Sequence, residues 1–508
     1  MLTKVWSVAS MGLQAIEIEV EVNVAAKGFP GFHIVGLPTK AVEEAKERVR
    51  TALVNTGIDF PQKKIVVNLA PADIPKEGSA YDLAIAVGIL ASIGEIVLLE
   101  KKMYFYGEVG LDGRLRHTRG VFLLASLAHE KKVTEIFVPK LSANEASVVE
   151  GVKSYPVNSL RELIRHFEGE KKILALKNLD KNRLIEEAEV DFDFKEVVGQ
   201  EQAKRALEIA AAGGHNVLMV GPPGSGKTML ARALPGILPE LLEEEALEVT
   251  KIYSVTGNIE PGGGLVRRRP FRSPHHTTSR MGLIGGGTKP MPGEISLAHR
   301  GVLFLDEFAE YPRATLEALR QPLEDGVVTV VRVAGAVKFP ASFMLIAAAN
   351  PCPCGYLNHP KRECKCLPGQ VLNYQKRMSG PILDRIDIHV NVPFVEVEKL
   401  RQNVDTFHST SEMIRKRVVA ARKIQEKRLK NDHIFTNGEM RNKQIKKFCQ
   451  LSEDAERLLQ TAADKFQLSA RSYFRVIKIS RTIADLEEAE GIEYNHVAEA
   501  LQYRVRNL

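Results

Sequence analysis

The sequence predicts an α/β protein, with a three-layer α/β core and a C-terminal helical lid behind an N-terminal α+β domain. Three observations carry this reading. An apolar strand-like run, Asn216–Val220, leads through GPPGSGKT into the helical pattern Met229–Leu234. From Phe192 to about Pro393, strand-like and helical segments alternate, as stacked layers require. From about Glu396 the chain turns helix-rich, with segments at Ser411–Leu429, Asn442–Lys447, Ser452–Lys465 and Arg471–Glu488.

Composition bounds the answer. A chain of 508 residues, 44% hydrophobic and 26% charged, fits two to four domains at ~100–200 residues each. A net charge of +7 names no partner, and the composition excludes a fibre, a membrane protein and a disulfide scaffold. The longest apolar stretch, Ala84–Gly94, is far short of the ~20 residues that cross a bilayer. The N-terminus has no signal-like run, so the expected location is cytoplasmic, with no membrane partner.

Four segments follow in order. Residues 1–168 alternate β-like runs (Ala15–Val24, Lys64–Leu69, Tyr104–Val109, Glu135–Val138) with helical stretches (Ala41–Asn55, Tyr81–Ala91). The charged stretch 169–190 reads as a linker. Residues 191–395 form the α/β core, and 396–508 the lid.

The core holds the strongest chemical signal. In Gly221, Pro222, Pro223, Gly224, Ser225 and Gly226, the glycines let backbone N–H groups turn toward phosphate oxygens at a helix N-terminus. Lys227 reaches the outer phosphates in this pattern, and the Thr228 hydroxyl ligates Mg²⁺. A second apolar run, Gly301–Phe308, ends in two carboxylates. Asp306 is expected to complete the Mg²⁺ shell and Glu307 to polarise the attacking water. A third apolar strand, Phe343–Ala349, ends at Asn350, a residue able to orient that water.

Cys352, Cys354, Cys364 and Cys366 lie within a loop, 351–368, that is too polar and Pro-rich to fold on a core. Four thiolates can close a tetrahedral, structural Zn²⁺ site. The C-x-C-x₉-C-x-C spacing departs from the commoner C-x₂₋₄-C of zinc sites; His359 could replace one cysteine, and Fe–S ligation is an alternative. Lys361, Arg362 and Lys365 decorate this loop. Arg332 and Lys338 belong to a hairpin expected around Gly335, between Val327–Val333 and Ala336–Phe339. Residues 411–450 hold twelve Lys and Arg against four acids, and Arg267–Arg269 with Arg272 form a second patch. Such elements suit a nucleic-acid backbone, although a solvated helix face is the ordinary fate of a charge run. His275–His276 is a weaker metal candidate, with no role assigned.

The P-loop, the LDE strand, the AAAN strand and Ile382-Leu383-Asp384-Arg385 resemble the AAA+ ATPases, in the branch of magnesium-chelatase subunits and MCM helicases. Phe271–Thr277, Pro292–Glu307, Ser379–Val390 and Gly28–Pro38 resemble the magnesium-chelatase-like YifB/ComM family, over nearly the whole chain. The resemblance implies ATP and Mg²⁺ as cofactors, with Asn350 as sensor 1. It implies Arg385 as an arginine finger serving the neighbouring subunit of a homo-hexameric ring, and Arg471 as sensor 2. Arg475 competes with Arg471, and an ion pair to Asp384 or Asp387 competes for Arg385. The implied activity is DNA translocation, as a branch-migration helicase in recombination and natural transformation, with DNA and recombination proteins as partners. An ATP-dependent protein-remodelling chaperone of the chelatase type is the alternative.

Pro75–Ala86 and Gly107–Gly120 resemble the Lon-protease-like fold. Alignment puts Ala80 at the protease's serine position and Phe122 at its lysine position; Ser79 lies one residue away. Without nucleophile and base together, the domain is expected to be non-proteolytic. A peptidase centred on Ser79 is the third reading.

Overall fold

Alternating burial explains the sheet in the N-terminal part of the chain. Along Gln14–Val24 the side chains of Ile18, Val20, Val22 and Val24 face inward, as a half-buried strand requires. This strand pairs antiparallel with Leu2–Met11, with Met11 opposite Gln14. The connection is therefore a two-residue turn, in which Gly12 (φ 60°) takes the conformation that side chains resist. The computed structural model describes residues 2–26, 29–176, 192–287, 290–332, 335–378, 380–395 and 410–504, without the side chains of 332 and 335. Gly28, most of the 169–190 segment, Ser379 and the start of the 396–508 segment lie outside the described residues, as does the Val333 end of the expected hairpin strand.

Two units emerge from the packing. The first comprises Met1–Glu186 with Leu242–Arg267, and the second Glu187–Leu241 with Arg268–Leu508. In the first, a seven-stranded sheet runs Gly31–Val35, Lys64–Ala70, Gln14–Val24, Leu2–Met11, Tyr104–Phe105, Glu135–Pro139, Lys153–Val157. The helix Asp82–Ile93 is buried on nearly every face and packs against the two long N-terminal strands. Gly88 permits this approach, since a Cβ there would lie 2.4 Å from Val22 Cγ2.

The strip Leu242–Arg267 follows the P-loop helix in sequence yet packs with the N-terminal unit. Its helix, Glu243–Thr256, is fixed through Ser254. The Ser254 hydroxyl donates to Glu145 Oε2 at 2.6 Å, and its carbonyl accepts the Gly120 N–H at 3.0 Å. Asn144 also donates to the Gly262 carbonyl at 2.5 Å. A division made along the sequence alone would place this strip with the nucleotide core.

The second unit is a five-stranded parallel sheet ordered Phe271–Arg272, Val302–Leu305, Met344–Ala349, Val217–Val220, Ile388–Asn391. The three inner strands are fully buried runs, as expected where helices cover both faces. The expected hairpin is present as Val327–Arg332 paired with Gly335–Pro340. The helices Ser411–Leu429, Glu453–Phe466, Ala470–Leu486 and Tyr494–Gln502 follow. Ser411–Leu429 and Ala470–Leu486 both pack on Glu201–Gly213.

Burial pushes the Glu145 carboxyl up to about 7, against the opposing Ser254 hydrogen bond. Its folded pKa therefore exceeds the unfolded value of ~4.3, and the native state holds more protons across that window. This contribution is full at low pH and lost as pH rises through about 7. Glu145→Gln should flatten the fall in melting temperature between pH 5 and 8, and melt ~2–4 °C higher than the parent at pH 8. Thermal melts of both proteins across that range check this.

Candidate nucleotide site and cysteine cluster

The site is built where three neighbouring parallel strands end. Val217–Val220 runs into Gly221, Met344–Ala349 into Asn350, and Val302–Leu305 into Asp306. Adjacent strands stand ~4.8 Å apart, so pairing alone brings these three chain positions side by side. Gly224 (φ 73°) and Gly226 (φ 89°) let the loop turn into the helix Lys227–Ala233.

Lys227, the first residue of that helix, turns its side chain back over the loop and is 8% exposed. Its ammonium donates to the carbonyls of Gly221 (2.8 Å) and Pro222 (2.9 Å), and lies 3.3 Å from Asn350 Oδ1. Burial lowers its pKa to about 8, and nearby Asp306 opposes the shift. A partly desolvated cation at a helix N-terminus is a strong attractor for phosphate. The Thr228 hydroxyl donates to Asp306 Oδ2 at 2.8 Å. Adjacent oxygens around Mg²⁺, at bonds of ~2.0–2.1 Å, stand ~2.9 Å apart, so this pair fits two neighbouring positions of its octahedron.

Glu307 sits just past the strand at φ 50°, ψ 44°, with its N–H donated to Asp306 Oδ1 at 2.9 Å. That backbone turn separates the two carboxylates. The Glu307 carboxylate then meets His276 Nδ1 at 3.2 Å. The His275 ring lies tilted against His276 with centroids 4.1 Å apart, and His275 Nδ1 pairs with the Thr277 hydroxyl at 2.8 Å. Sequence alone left the histidine pair without a role. Its position after Phe271–Arg272, a strand pairing beside the Asp306 strand, brings it to the carboxylate.

Arg385 and Arg471 lie elsewhere. Asn216, at the start of the P-loop strand, donates its side-chain amide to the Arg385 carbonyl at 3.0 Å. Arg385 is thus at the opposite end of the sheet from Gly221, a four-residue strand or ~13 Å away. Its guanidinium pairs with Glu324, whose other oxygen holds Arg471 at 2.7 Å. Arg475 is nearly buried, pairs with Asp387 at 3.1 Å and donates to the Asp384 carbonyl. Of the two arginines that competed in the sequence, Arg471 is half exposed and Arg475 is committed to the interior.

The four cysteines come together. Cys352, Cys354 and Cys364 have Sγ separations of 3.5, 3.7 and 3.6 Å, and with Cys366 all four sulfurs lie within 4.8 Å. Zn–S bonds of ~2.3 Å give a tetrahedron edge of ~3.8 Å, so the thiol set fits the ion. The Tyr356 backbone N–H pulls the Cys354 thiol down to about 6, while the Cys364 and Cys366 thiols, opposed by backbone hydrogen bonds, are pushed up by burial and by hydrogen bonds from their neighbouring sulfurs. His359 Nδ1 accepts the N–H groups of Lys361 and Arg362 at 3.0 and 3.1 Å, so it serves the loop's own backbone.

The basic residues divide. Lys338 is exposed on its hairpin, opposite Thr329; the Arg332 side chain lies outside the described residues. Lys361 is exposed, whereas Arg362 folds onto Tyr356, donating to its hydroxyl at 2.6 Å. Within 411–450, Arg417 pairs with Glu208 (2.6 Å), Arg428 with Asp485 (2.8 Å for one contact), and Arg422 donates to the Ala211 carbonyl (2.8 Å). Arg272 is likewise held by Glu294 at 2.7 Å. Three of the twelve basic residues of 411–450 are therefore held against the fold, and the other nine are exposed.

In the N-terminal unit, Ala80 and Phe122 are both buried in the core. The Ser79 hydroxyl donates to the Glu108 carboxylate, which also pairs with Arg116 at 3.4 Å.

This geometry makes Glu307 the group whose loss should separate binding from turnover. Glu307→Gln should retain nucleotide affinity within about twofold while kcat falls ~10²–10⁴-fold, the range of a lost general base. Lys227→Ala should lose nucleotide binding itself. Equilibrium titration with a fluorescent ATP analogue, alongside steady-state phosphate release, distinguishes the two.

Comparison with known proteins agrees with this construction. Three family models match in succession: Subunit ChlI of Mg-chelatase over residues 20–142, Magnesium chelatase, subunit ChlI over 193–400, and Magnesium chelatase, subunit ChlI C-terminal over 408–504. Competence protein ComM of Haemophilus influenzae is 43% identical, covering 99% of this chain and 97% of its own length. YifB of Escherichia coli is 41% identical over 98% of this chain and 96% of its own. The magnesium-chelatase 38 kDa subunit of Rhodobacter capsulatus is 30% identical over 32% of this chain and half of its own. With ATP and Mg²⁺ chemistry implied by the family and the phosphate loop in place, the chain belongs to the YifB/ComM family of magnesium-chelatase-like AAA+ ATPases.

Proposed function

We propose that this ATPase is a homo-hexameric DNA translocase that promotes branch migration in recombination and natural transformation. The observation that carries the multisubunit part is the placement of Arg385 and Arg471 on one carboxylate, at the far end of the sheet from their own P-loop. Guanidinium groups there cannot reach the γ-phosphate of the same chain, but they suit one held by a neighbour. DNA as the partner is supported by the full-length likeness to a competence protein and by exposed Lys338 on its hairpin.

Within this reading each residue has a task. Backbone N–H groups of Gly221–Gly226 and the Lys227 ammonium bind the phosphates, and Thr228 and Asp306 would hold Mg²⁺, which neutralises phosphate charge. Glu307 takes a proton from the attacking water, with His276 orienting its carboxylate, and Asn350 positions that water. Arg385 and Arg471 act on the adjoining subunit's nucleotide. Zn²⁺ is structural, since four cysteine ligands leave no open position for chemistry. Lys338, Lys361, Arg332 and Arg362 are the proposed phosphate-backbone contacts. The N-terminal domain is non-proteolytic in this account.

The matches to magnesium-chelatase subunits favour a second reading, ATP-driven remodelling of a protein partner. DNA dependence separates the two. ATPase rate should rise several-fold with single-stranded or branched DNA, and the stimulation should weaken steeply between 50 and 200 mM salt, roughly as phosphate contacts release counterions. An ATPase indifferent to every DNA tested favours the chaperone.

Sharing of sites between subunits has its own signature. Arg385→Ala and Lys227→Ala should each abolish turnover alone. Mixed, they should recover part of it, because some interfaces then join an intact P-loop to an intact Arg385. Phosphate release across mixing ratios checks this, and a strictly additive zero would exclude a trans role for Arg385.

A further inference from the structure

The four-cysteine loop is physically continuous with the nucleotide site. Its first cysteine, Cys352, lies two residues after Asn350, whose side chain meets Lys227. Cys352 is fully buried there, and its carbonyl accepts the Gly355 N–H at 2.9 Å. Gly355, at φ 81°, lies directly against the P-loop. A Cβ on it would stand 2.5 and 2.6 Å from Pro223 Cδ and Cγ, and 3.7 Å from Asn350 Cγ. The far end of the loop returns to the same place. After Cys366 the helix Pro368–Arg377 brings the Tyr374 hydroxyl to the Asn350 backbone, and Gln375 donates to the Pro351 carbonyl at 3.5 Å.

Residues 355–363 contribute almost nothing apolar with which to hold this shape. The Arg362–Tyr356 and His359–Phe394 contacts hold part of it; the four sulfurs tie its two ends together, and as thiolates they would repel one another without a cation between them. We propose that a thiolate-bound soft divalent ion, Zn²⁺, is a positioning brace for ATP binding: its occupancy seats Gly355 on Pro223 and fixes Asn350 beside Lys227. The inference rests on the reading of the cysteines as a metal site. It goes beyond a structural staple, because metal content then sets nucleotide affinity.

The test uses the full-length protein. Metal content is measured by elemental analysis, and affinity by titration with a fluorescent ATP analogue in saturating Mg²⁺. A zinc-selective chelator that leaves Mg²⁺ in place should release about one equivalent of zinc and weaken nucleotide binding tenfold or more. Adding Zn²⁺ back should restore it. Cys364→Ser/Cys366→Ser should reproduce the chelated state. Gly355→Val should keep its zinc yet bind nucleotide about as weakly as the chelated parent, which a merely local folding role of the metal does not explain. If Gly355→Val fails to fold or loses metal, the chelation and add-back arm decides. Zinc released with nucleotide affinity unchanged within twofold overturns the brace while leaving the metal site standing. No zinc in the purified parent, or equal metal in parent and double mutant, overturns the metal reading itself.

Discussion

The ATPase unit depends on the parallel pairing of three short strands. Ile346 lies opposite both Val217 and Phe304, so the P-loop strand and the Asp306 strand flank the Asn350 strand in fixed register. A slip of one residue would turn every side chain to the other face. It would also move Asn350 or Asp306 by a residue length relative to Gly221. The all-apolar runs VLMV, VLFL and MLIAAA hold that register by burial on both faces. Polar function then begins at the first residue beyond each run. Nothing in the strands themselves is reactive; they are a ruler that sets where three loops start.

The same register separates the chemistry into two ends. Phosphate-binding groups gather where the strands finish, and Arg385 is tethered by Asn216 where they begin. One carboxylate, Glu324, holds both Arg385 and Arg471, and those two cations keep its pKa low. Glu324 and Arg471 are half exposed whereas Arg385 is mostly buried, so the Arg471 half of this pairing contributes little stability and is readily released to a competing phosphate. Arg475 differs by one helical turn and in fate. It is locked to Asp387, itself held low, to about 2, by His215 and Arg475 against a large desolvation cost. Removing one partner of that buried pair would strand a charge, which makes Arg475 a structural residue.

What was legible in the sequence follows from range. The P-loop, the Asp306–Glu307 strand end and Asn350 were readable because each is a local pattern, an apolar run meeting a polar residue. The Ser411–Leu429 helix came out at its observed limits because its cap and periodicity are also local. The strand Leu2–Met11 is not legible locally, since LTKVWSVASM alternates poorly and becomes a strand through its ten-residue pairing with Gln14–Val24. The strip Leu242–Arg267 was assigned by its neighbours in sequence, while its partners, Glu145 and Gly120, lie more than a hundred residues away. The basic run at 411–450 was countable, but its acceptors, Glu208, Ala211 and Asp485, are distant, so its inward-facing share was invisible. His276 has no task legible in the sequence, because only the sheet brings it to Glu307.

The cysteine loop shows why such long-range placement matters for mechanism. An α/β core can position groups at strand ends, but the chain leaving Asn350 has no strand to follow and little apolar surface to bury beyond Cys352, Tyr356 and Leu357. Left to itself, such a segment has too little burial to offset its conformational entropy. A metal held by the four sulfurs would remove that freedom at one point, much as a disulfide does. The economical place for such a cross-link is beside a group whose orientation matters to a fraction of an ångström. Cys352 lies two residues from Asn350, and Gly355 has no side chain where Pro223 must approach. Both features are what a fold requires if the loop's shape is to be transmitted to the phosphate loop rather than absorbed by slack between them.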